Sequence, residues 1–468
     1  MNRYGTGNEV GFANMHLRGI ETMTTRSALP KASIRDTLSV LADVVIPNVA
    51  KGPIIRRPKM VALVERLQLD TRAVRRMQKV EGKYGPGPLM LPLPRWSRAL
   101  ILAPRHVHQV LDRTPEPFAT ETDEKRAALS HFEPRVALIS HGPERAVRRQ
   151  FNEDVLETPR PVHGLAPRFI HVVNEETTSL LTTAERDEEL VWDAFFETWF
   201  RIVRRIVFGD SARDDHGLTD MVAKLRANAN WAFMKPKQTE LRERFLSGIE
   251  DRIAEAEPGS LAGIIATMPK TPEMEPVHQV AQWLFAFDPT GMATFRALAL
   301  LASHPDQAAE AWRELAEDRS GRQNLSYLRA CILESLRLWP TTPLVLRQTT
   351  SETEWETGTM PADTGILIYA PFFHQDDRQL SYAHLFSPGI WLEHRGSTDW
   401  PLIPFSAGPA ICPATNLVQM LSSAMLAALI NEHEIRLKSS HALGPDQPLT
   451  GTLNNYALRF KVSARLQQ

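Results

Sequence analysis

The chain of 468 residues is 43% hydrophobic and 23% charged, with a formal net charge of −1. It is long enough for a large core, and its balanced charge excludes a dedicated nucleic-acid binder, which needs a basic excess to pair with phosphates. Two cysteines, Cys331 and Cys412, without any CxxC spacing, exclude a disulfide framework, a zinc ribbon and a thioredoxin-like site.

Residues 1–50 read as a disordered leader and N-terminal extension, the first thirty rich in Gly, Asn, Thr and Ser, with Met23 as an alternative start. No stretch approaches the ~20 apolar residues of a membrane span. Residues 38–50 are interrupted by Asp43 and Pro47, and 421–430 read as part of a core helix. No basic leader with an apolar centre and cleavage site is seen, so a cytoplasmic location is expected.

Beyond the extension the apolar spacing is mostly helical, which predicts a mainly α fold with small β regions. Residues 59–81 read as one amphipathic helix. After a Gly-Pro turn at 84–88, the runs 89–92 and 98–103 read as neighbouring strands. Residues 189–208 (ELVWDAFFETWFRIVRRIVF) form a long helix with a broad apolar face, stopped by Gly209. Helices are also expected over 239–255, over 279–303, and over 325–338, the last closed by Trp339-Pro340. The period then changes, and 347–369 alternates between turn signals as a small β region. A last long helix is expected over 414–434 and a final hairpin over 454–463, with 51–468 forming one domain.

Cys412 stands in PFSAGPAICPATNLVQML, a loop crowded with Gly and Pro just ahead of that last helix. Pro413 fits a first helical position, where its missing N–H costs nothing. Cys412 then sits at a helix N-terminus, where backbone N–H groups and the dipole stabilise a thiolate able to bind a metal. Gly408 permits a tight turn, and Ala414 is small enough for a flat ligand to lie close. The same local physics also allows an inert buried thiol. The spacing Phe405-x-x-Gly408-x-x-x-Cys412-x-Ala414 resembles the haem-ligand loop of the cytochrome P-450 family, whose cysteine thiolate is the proximal iron ligand. Where that family has a basic residue two positions after the glycine, this chain has Ala410.

Three more stretches carry the resemblance. LSYLRACILESLRLWPTTPLVLR is similar to the family's Glu-x-x-Arg helix and the turn after it. Glu334 and Arg337 share a helix face, and Arg347 takes the place of a residue that reaches a haem propionate. The family's third partner comes from Phe-x-Pro-x-Arg; here FSPGIW puts Ile390 in that place, with His394 or Arg395 as the expected substitute. HGPERAVRRQF resembles the helix whose two basic residues clamp the propionates, here Arg145 and Arg149, since guanidinium forks suit carboxylates. Taken alone it reads more readily as a solvated basic face.

In QWLFAFDPTGMATFRALALLASHP, Ala286-Phe287-Asp288-Pro289-Thr290 aligns with the family's small-x-acid-Thr-Thr segment on the distal haem face. Asp288 matches the acid, while Pro289 replaces the first Thr and brings no hydroxyl. A proline there removes a helix donor and clashes with the Phe285 carbonyl, at ~3 kcal/mol. A kink is therefore expected that frees this carbonyl for water or substrate, with Asp288 and the Thr290 hydroxyl handling protons. Alternatively, Asp288 caps the second half of a broken helix, with Pro289 at its first position.

The resemblance, from about Arg57 onward, implies one triangular, mainly α domain: a haem-thiolate monooxygenase of the soluble bacterial type. It would insert one oxygen atom from O2 into a small lipophilic substrate, with electrons from a ferredoxin and its reductase. Haem b is the implied cofactor, with Cys412 on iron and Arg145, Arg149, Ala286, Arg347, Phe405, Gly408 and Ala414 seating it. Asp288, Pro289 and Thr290 are the implied catalytic segment. Two alternatives remain: a haem-thiolate isomerase, peroxide-dependent oxidant or C–C cleaver, motivated by Pro289, and a non-catalytic haem-binding protein.

Overall fold

The computed structural model describes residues 27–94, 96–393 and 399–465. The extension expected over 1–50 joins the folded body from Ser27 onward. Met90 N–H donates to Pro30 O (2.9 Å) and Ala32 N–H to Met90 O (2.9 Å). Ser33 caps the helix Ile34–Val40, its Oγ accepting from Asp36 N–H at 3.1 Å, as N-cap serines do. The chain continues through the π-turn Leu41–Val45 into Ile46–Lys51. Leu29, Val40 and Val44 are buried in the core behind the main sheet, so this segment has the apolar side chains that pay for order, and a disordered reading does not fit it.

The single helix expected over 59–81 is two, Pro58–Arg66 and Leu69–Tyr84, separated at Gln68 with φ of 51°. The break turns Asp70 inward, where its carboxylate meets Lys51 Nζ at 2.6 Å and the Thr452 hydroxyl at 2.5 Å. A continuous apolar period gives no sign of such a buried polar contact. The main sheet orders Leu89–Leu93, Trp96–Leu100, Gly365–Tyr369, Leu344–Thr349 and Phe118–Ala119, with only the second and third strands parallel.

The helical core surrounds Pro276–Ser303, against which Trp192–Phe208, Thr239–Glu255, Ser326–Leu338 and Thr415–Ile430 pack. The expected start at 189 moves to Trp192 because Leu190–Val191 is a strand against Arg459–Ala464. The last long helix ends at Ile430, short of 434, because His433–Leu437 pairs with Arg459–Ala464. The hairpin expected over 454–463 is therefore one strand of a three-stranded sheet. Among the described residues no helix is long and apolar enough to cross a membrane.

His374 is fully buried, and its Nε2 accepts from Ile403 N–H at 2.9 Å, which requires a neutral ring. Burial draws its pKa from 6.5 to about 3, and burial draws His106 and His278 to about 4. In the unfolded chain these rings protonate near 6.5. Each therefore contributes stability that is complete above that pH and lost as pH falls toward the folded value. Urea unfolding should show stability dropping between pH 6.5 and 4, by about 1.4 kcal/mol per pH unit for each such group. His374→Gln should flatten that slope.

Candidate functional site

Glu334 and Arg337 face each other one helical turn apart, both wholly buried. Arg337 Nε and Nη2 donate to the two Glu334 oxygens at 2.8 and 2.7 Å. The remaining guanidinium donors reach the carbonyls of His374, Ala383, Tyr382 and Leu385 at 2.8–3.1 Å. Glu334 also accepts from Ser387 N–H and Trp391 Nε1, each at 2.9 Å. The indole of Trp391 thus supplies the donor that Ile390 cannot. His394 and Arg395, expected in that role, lie outside the described residues.

A hydrogen-bonded path leads from this pair to the sulfur. Ile403 docks on His374, Ser406 N–H donates to Ile403 O (3.1 Å), and Cys412 N–H donates to Phe405 O (3.0 Å). Gly408 has φ of 65°, and a Cβ there would collide with the Leu111 carbonyl, so only glycine fits. Thr415 begins the last helix, leaving Pro413 and Ala414 in the turn before it rather than in its first positions. Cys412 is half-buried, yet burial raises its thiol pKa from the ordinary 9.0, as for a group lining an enclosed space. The Ala414 N–H, the Arg149 charge and the Thr415 hydroxyl act the other way, favouring thiolate. Cys331, in contrast, is sealed among core side chains, and burial pushes its pKa far up.

Guanidinium groups flank this loop. Arg149 Nη1 donates to Ile411 O (2.7 Å) and Nε to Glu153 (2.5 Å), so it braces the loop rather than standing free. Arg347 is buried, donating to Ser406 Oγ (3.1 Å) and Thr114 Oγ1 (3.2 Å). Lys125, which sequence reasoning missed, donates to Thr120 O (2.7 Å) and to Leu346 O (2.9 Å), the same oxygen that takes Arg347 Nη1 (2.9 Å). Two cations therefore share one neutral acceptor. Arg145 adds a third, its Nε buried without a partner. Burial and the Arg145 charge lower the Arg347 pKa to about 10, and burial with the Arg347 charge lowers that of Lys125. Such a cluster suits a dianionic ligand.

On the other side, Pro276–Ser303 runs unbroken through Pro289, so Asp288 caps no second helix. Gln282, Phe285, Ala286 and Pro289, at i, i+3, i+4 and i+7, are half-buried in a segment otherwise mostly buried, leaving one strip of the helix open. Thr290 is buried beside this strip. Asp288 lies past Phe285 around the helix, where its Oδ2 meets Arg226 Nη2 at 2.5 Å, both side chains buried. Asp288 Oδ1 and Arg226 Nε have no partner. Trp199 Nε1 donates to Phe287 O (2.9 Å), and its ring leaves no room for a Cβ at Gly291. Arg226 and Trp199 sit on helices far away in sequence, and no local pattern marks them as partners of this segment.

The site thus combines a thiol loop flanked by cations, a buried Glu-x-x-Arg pair that braces it, and a long central helix with one open strip. The family model described as cytochrome P-450 matches residues 269–457. Cytochrome P-450 71D179 of Thymus vulgaris is 26% identical, over 58% of this chain and 64% of that one. Cyclooctat-9-en-7-ol 5-monooxygenase of Streptomyces melanosporofaciens is 30% identical, over 35% of this chain and 38% of that one. The chain thus matches less than two thirds of the length of either relative. The solved structure of the cytochrome P-450 CYP102L1 superposes with a TM-score of 0.67 at 19% identity, over 84% of this chain and 94% of that one. The chain has the cytochrome P-450 fold, and its residues 269–457 match that family's model.

Arg226→Leu should lower unfolding stability by about 3 kcal/mol, because it leaves Asp288 charged and buried. The double variant Arg226→Leu/Asp288→Leu should recover most of the loss, measured by urea denaturation.

Proposed function

We propose that the protein is a haem-thiolate monooxygenase acting on a small lipophilic substrate. The observation that carries this reading is the cluster of Arg145, Arg347 and Lys125 without a carboxylate partner, with Arg347 donating to Ser406 of the Cys412 loop. Haem b fits these residues. Cys412 Sγ would bind the iron, and Arg145, Arg347 and Lys125 would take the two carboxylates, Lys125 replacing the cation absent at Ala410. Phe405, Gly408, Ala414 and Ala286 would leave space for the flat ring.

Bound there, haem supplies O2 activation by one-electron steps; the chain's residues control water, protons and substrate. The Ala414 N–H, the Arg149 charge and the Thr415 hydroxyl would favour the anionic sulfur against the cost of its burial. Phe285 and Pro289 exclude water along the open strip. The Thr290 hydroxyl beside that strip, and Asp288 with its free Oδ1, are the groups placed to hold and pass a proton. Electron delivery by a ferredoxin and its reductase, and a cytoplasmic location, belong to the same reading. The Streptomyces relative acts, by its name, on an alcohol, and a terpene-like substrate is proposed by analogy.

Pro289 favours a second reading, a haem-thiolate enzyme that does not use O2 and NAD(P)H. Turnover with peroxide alone, and none with NADPH plus redox proteins, would establish the second reading over the first.

The reduced, CO-bound absorption spectrum of purified protein should show a thiolate-type Soret band that Cys412→Ser abolishes. Its absence from the unaltered protein would overturn both readings. Lys125→Met should release haem to apomyoglobin about tenfold faster, the effect of losing one charge-assisted hydrogen bond.

A further inference from the structure

Arg56 stands between the helices Ile46–Lys51 and Pro58–Arg66 and pairs with no carboxylate among the described residues. Its Nη1 donates to Gly52 O at 2.7 Å and its Nη2 to Thr341 O at 2.5 Å, both neutral acceptors. Several of its guanidinium N–H groups are left unused. Arg296, on the central helix, is likewise bound only to neutral oxygens: Trp339 O (3.1 Å), Leu453 O (3.2 Å) and Asn455 Oδ1 (3.1 Å). Trp339 and Thr341 belong to the turn after Ser326–Leu338, so one turn holds both cations. Arg226 reaches Ile54 O, two residues before Arg56, but its charge is matched by Asp288.

Charge does not balance here. Lys51, Arg56, Arg226 and Arg296 feel three carboxylates, Asp70, Asp288 and Glu65. Lys51 takes Asp70 (2.6 Å), Arg226 takes Asp288 (2.5 Å), and the half-buried Glu65 accepts from Asn454 N–H (2.8 Å). Four cations against three anions leave one positive charge unmatched, a costly arrangement away from water. Tyr456 adds a neutral donor beside them. It follows Asn455, its ring packs edge-on against Trp192 at 5.5 Å, and its hydroxyl has no partner among the described residues. Burial and the Asp288 charge raise its pKa, so the proton stays on. Arg56 and Tyr456 are half-buried, yet burial is the main cause that lowers the pKa of the first and raises that of the second. Accessible surface in so dry a place faces an enclosed space. That space adjoins the open strip of the central helix, because Arg226 lies over the Phe285 ring (4.8 Å to its centroid) and Asp288 precedes Pro289.

A guanidinium fork and a phenol O–H beside one surplus positive charge match a single carboxylate. A neutral hydroxyl would leave the charge unmatched, and a phosphate dianion would reverse its sign. We propose that Arg56 and the Tyr456 hydroxyl bind the carboxylate of the substrate, making the protein selective for a lipophilic monocarboxylic acid whose hydrocarbon body lies along Pro289, Ala286 and Phe285. The proposal rests on the haem-thiolate reading above and names the substrate class of that site. Neither residue takes part in bond-making; both anchor the end of the ligand that is not oxidised.

The test uses the haem-loaded protein and two matched pairs of probes, geranic acid with its methyl ester and decanoic acid with its methyl ester. Binding is read by titration calorimetry and by the shift of the haem absorption band. At least one acid should bind about tenfold or more tightly than its ester. Arg56→Gln, which keeps a donor and loses the charge, should erase the preference, while Arg56→Lys should retain part of it. Tyr456→Phe should weaken acid binding several-fold and leave the ester unchanged; a merely structural role would move acid and ester together. Thermal unfolding and the CO-bound spectrum verify that the variants are folded and loaded. Tyr456→Phe removes no described hydrogen bond and decides the matter should Arg56→Gln fail to fold. Equal affinity for both members of each pair, binding of neither acid, or an undiminished preference in either folded variant overturns the proposal while the thiolate band stands. Loss of that band from the unaltered protein overturns the haem-thiolate reading instead.

Discussion

The pairing of Glu334 with Arg337 is the constraint on which the rest of the structure hangs. One guanidinium satisfies four loop carbonyls while bound to a carboxylate, and that carboxylate collects two more donors from the segment beyond. Breaking a buried pair of this kind exposes an uncompensated charge to a low dielectric. The segment from His374 to Trp391 is therefore fixed at both ends of one helical turn, and through His374 and Ile403 that order reaches the loop bearing Cys412. The position of the sulfur follows from a charge pair that never touches it.

The same logic, with different residues, governs the other face. A proline in the middle of a long helix leaves the Phe285 carbonyl without its usual amide donor, and the residues that follow that carbonyl are held by neighbouring helices. Trp199 binds the carbonyl of Phe287, and Arg226 binds Asp288. Pro289 itself lies on the open strip.

Much of this was legible in the sequence. The Cys412 loop could be read as a turn ahead of a helix because Gly408 and the apolar run behind it obey local rules, although Pro413 lies in that turn and not at the first helical position expected for it. The helix over 239–255 could be read from its apolar period alone. What escaped reading depends on contacts between distant segments. Trp391 fills the place of an expected guanidinium, and no spacing rule equates an indole N–H with an arginine. Arg226 is 62 positions from Asp288, and Lys125 meets Leu346 from another helix. The break at Gln68 follows from Asp70 turning toward Lys51, and the order of 27–51 follows from four apolar side chains, Leu29, Ala32, Val40 and Val44, too sparse to give a period.

The clamp at Phe287 and Asp288 has a kinetic corollary. It joins the helices Trp192–Phe208 and His216–Ala229, and through Ile54 the N-terminal segment, to one turn of the central helix. Spreading those elements apart to admit a molecule would separate opposite charges out of reach of dissolved ions, which screen buried pairs weakly. Breathing of the protein at this point would therefore be set by temperature, and would be nearly indifferent to the ionic strength of the medium.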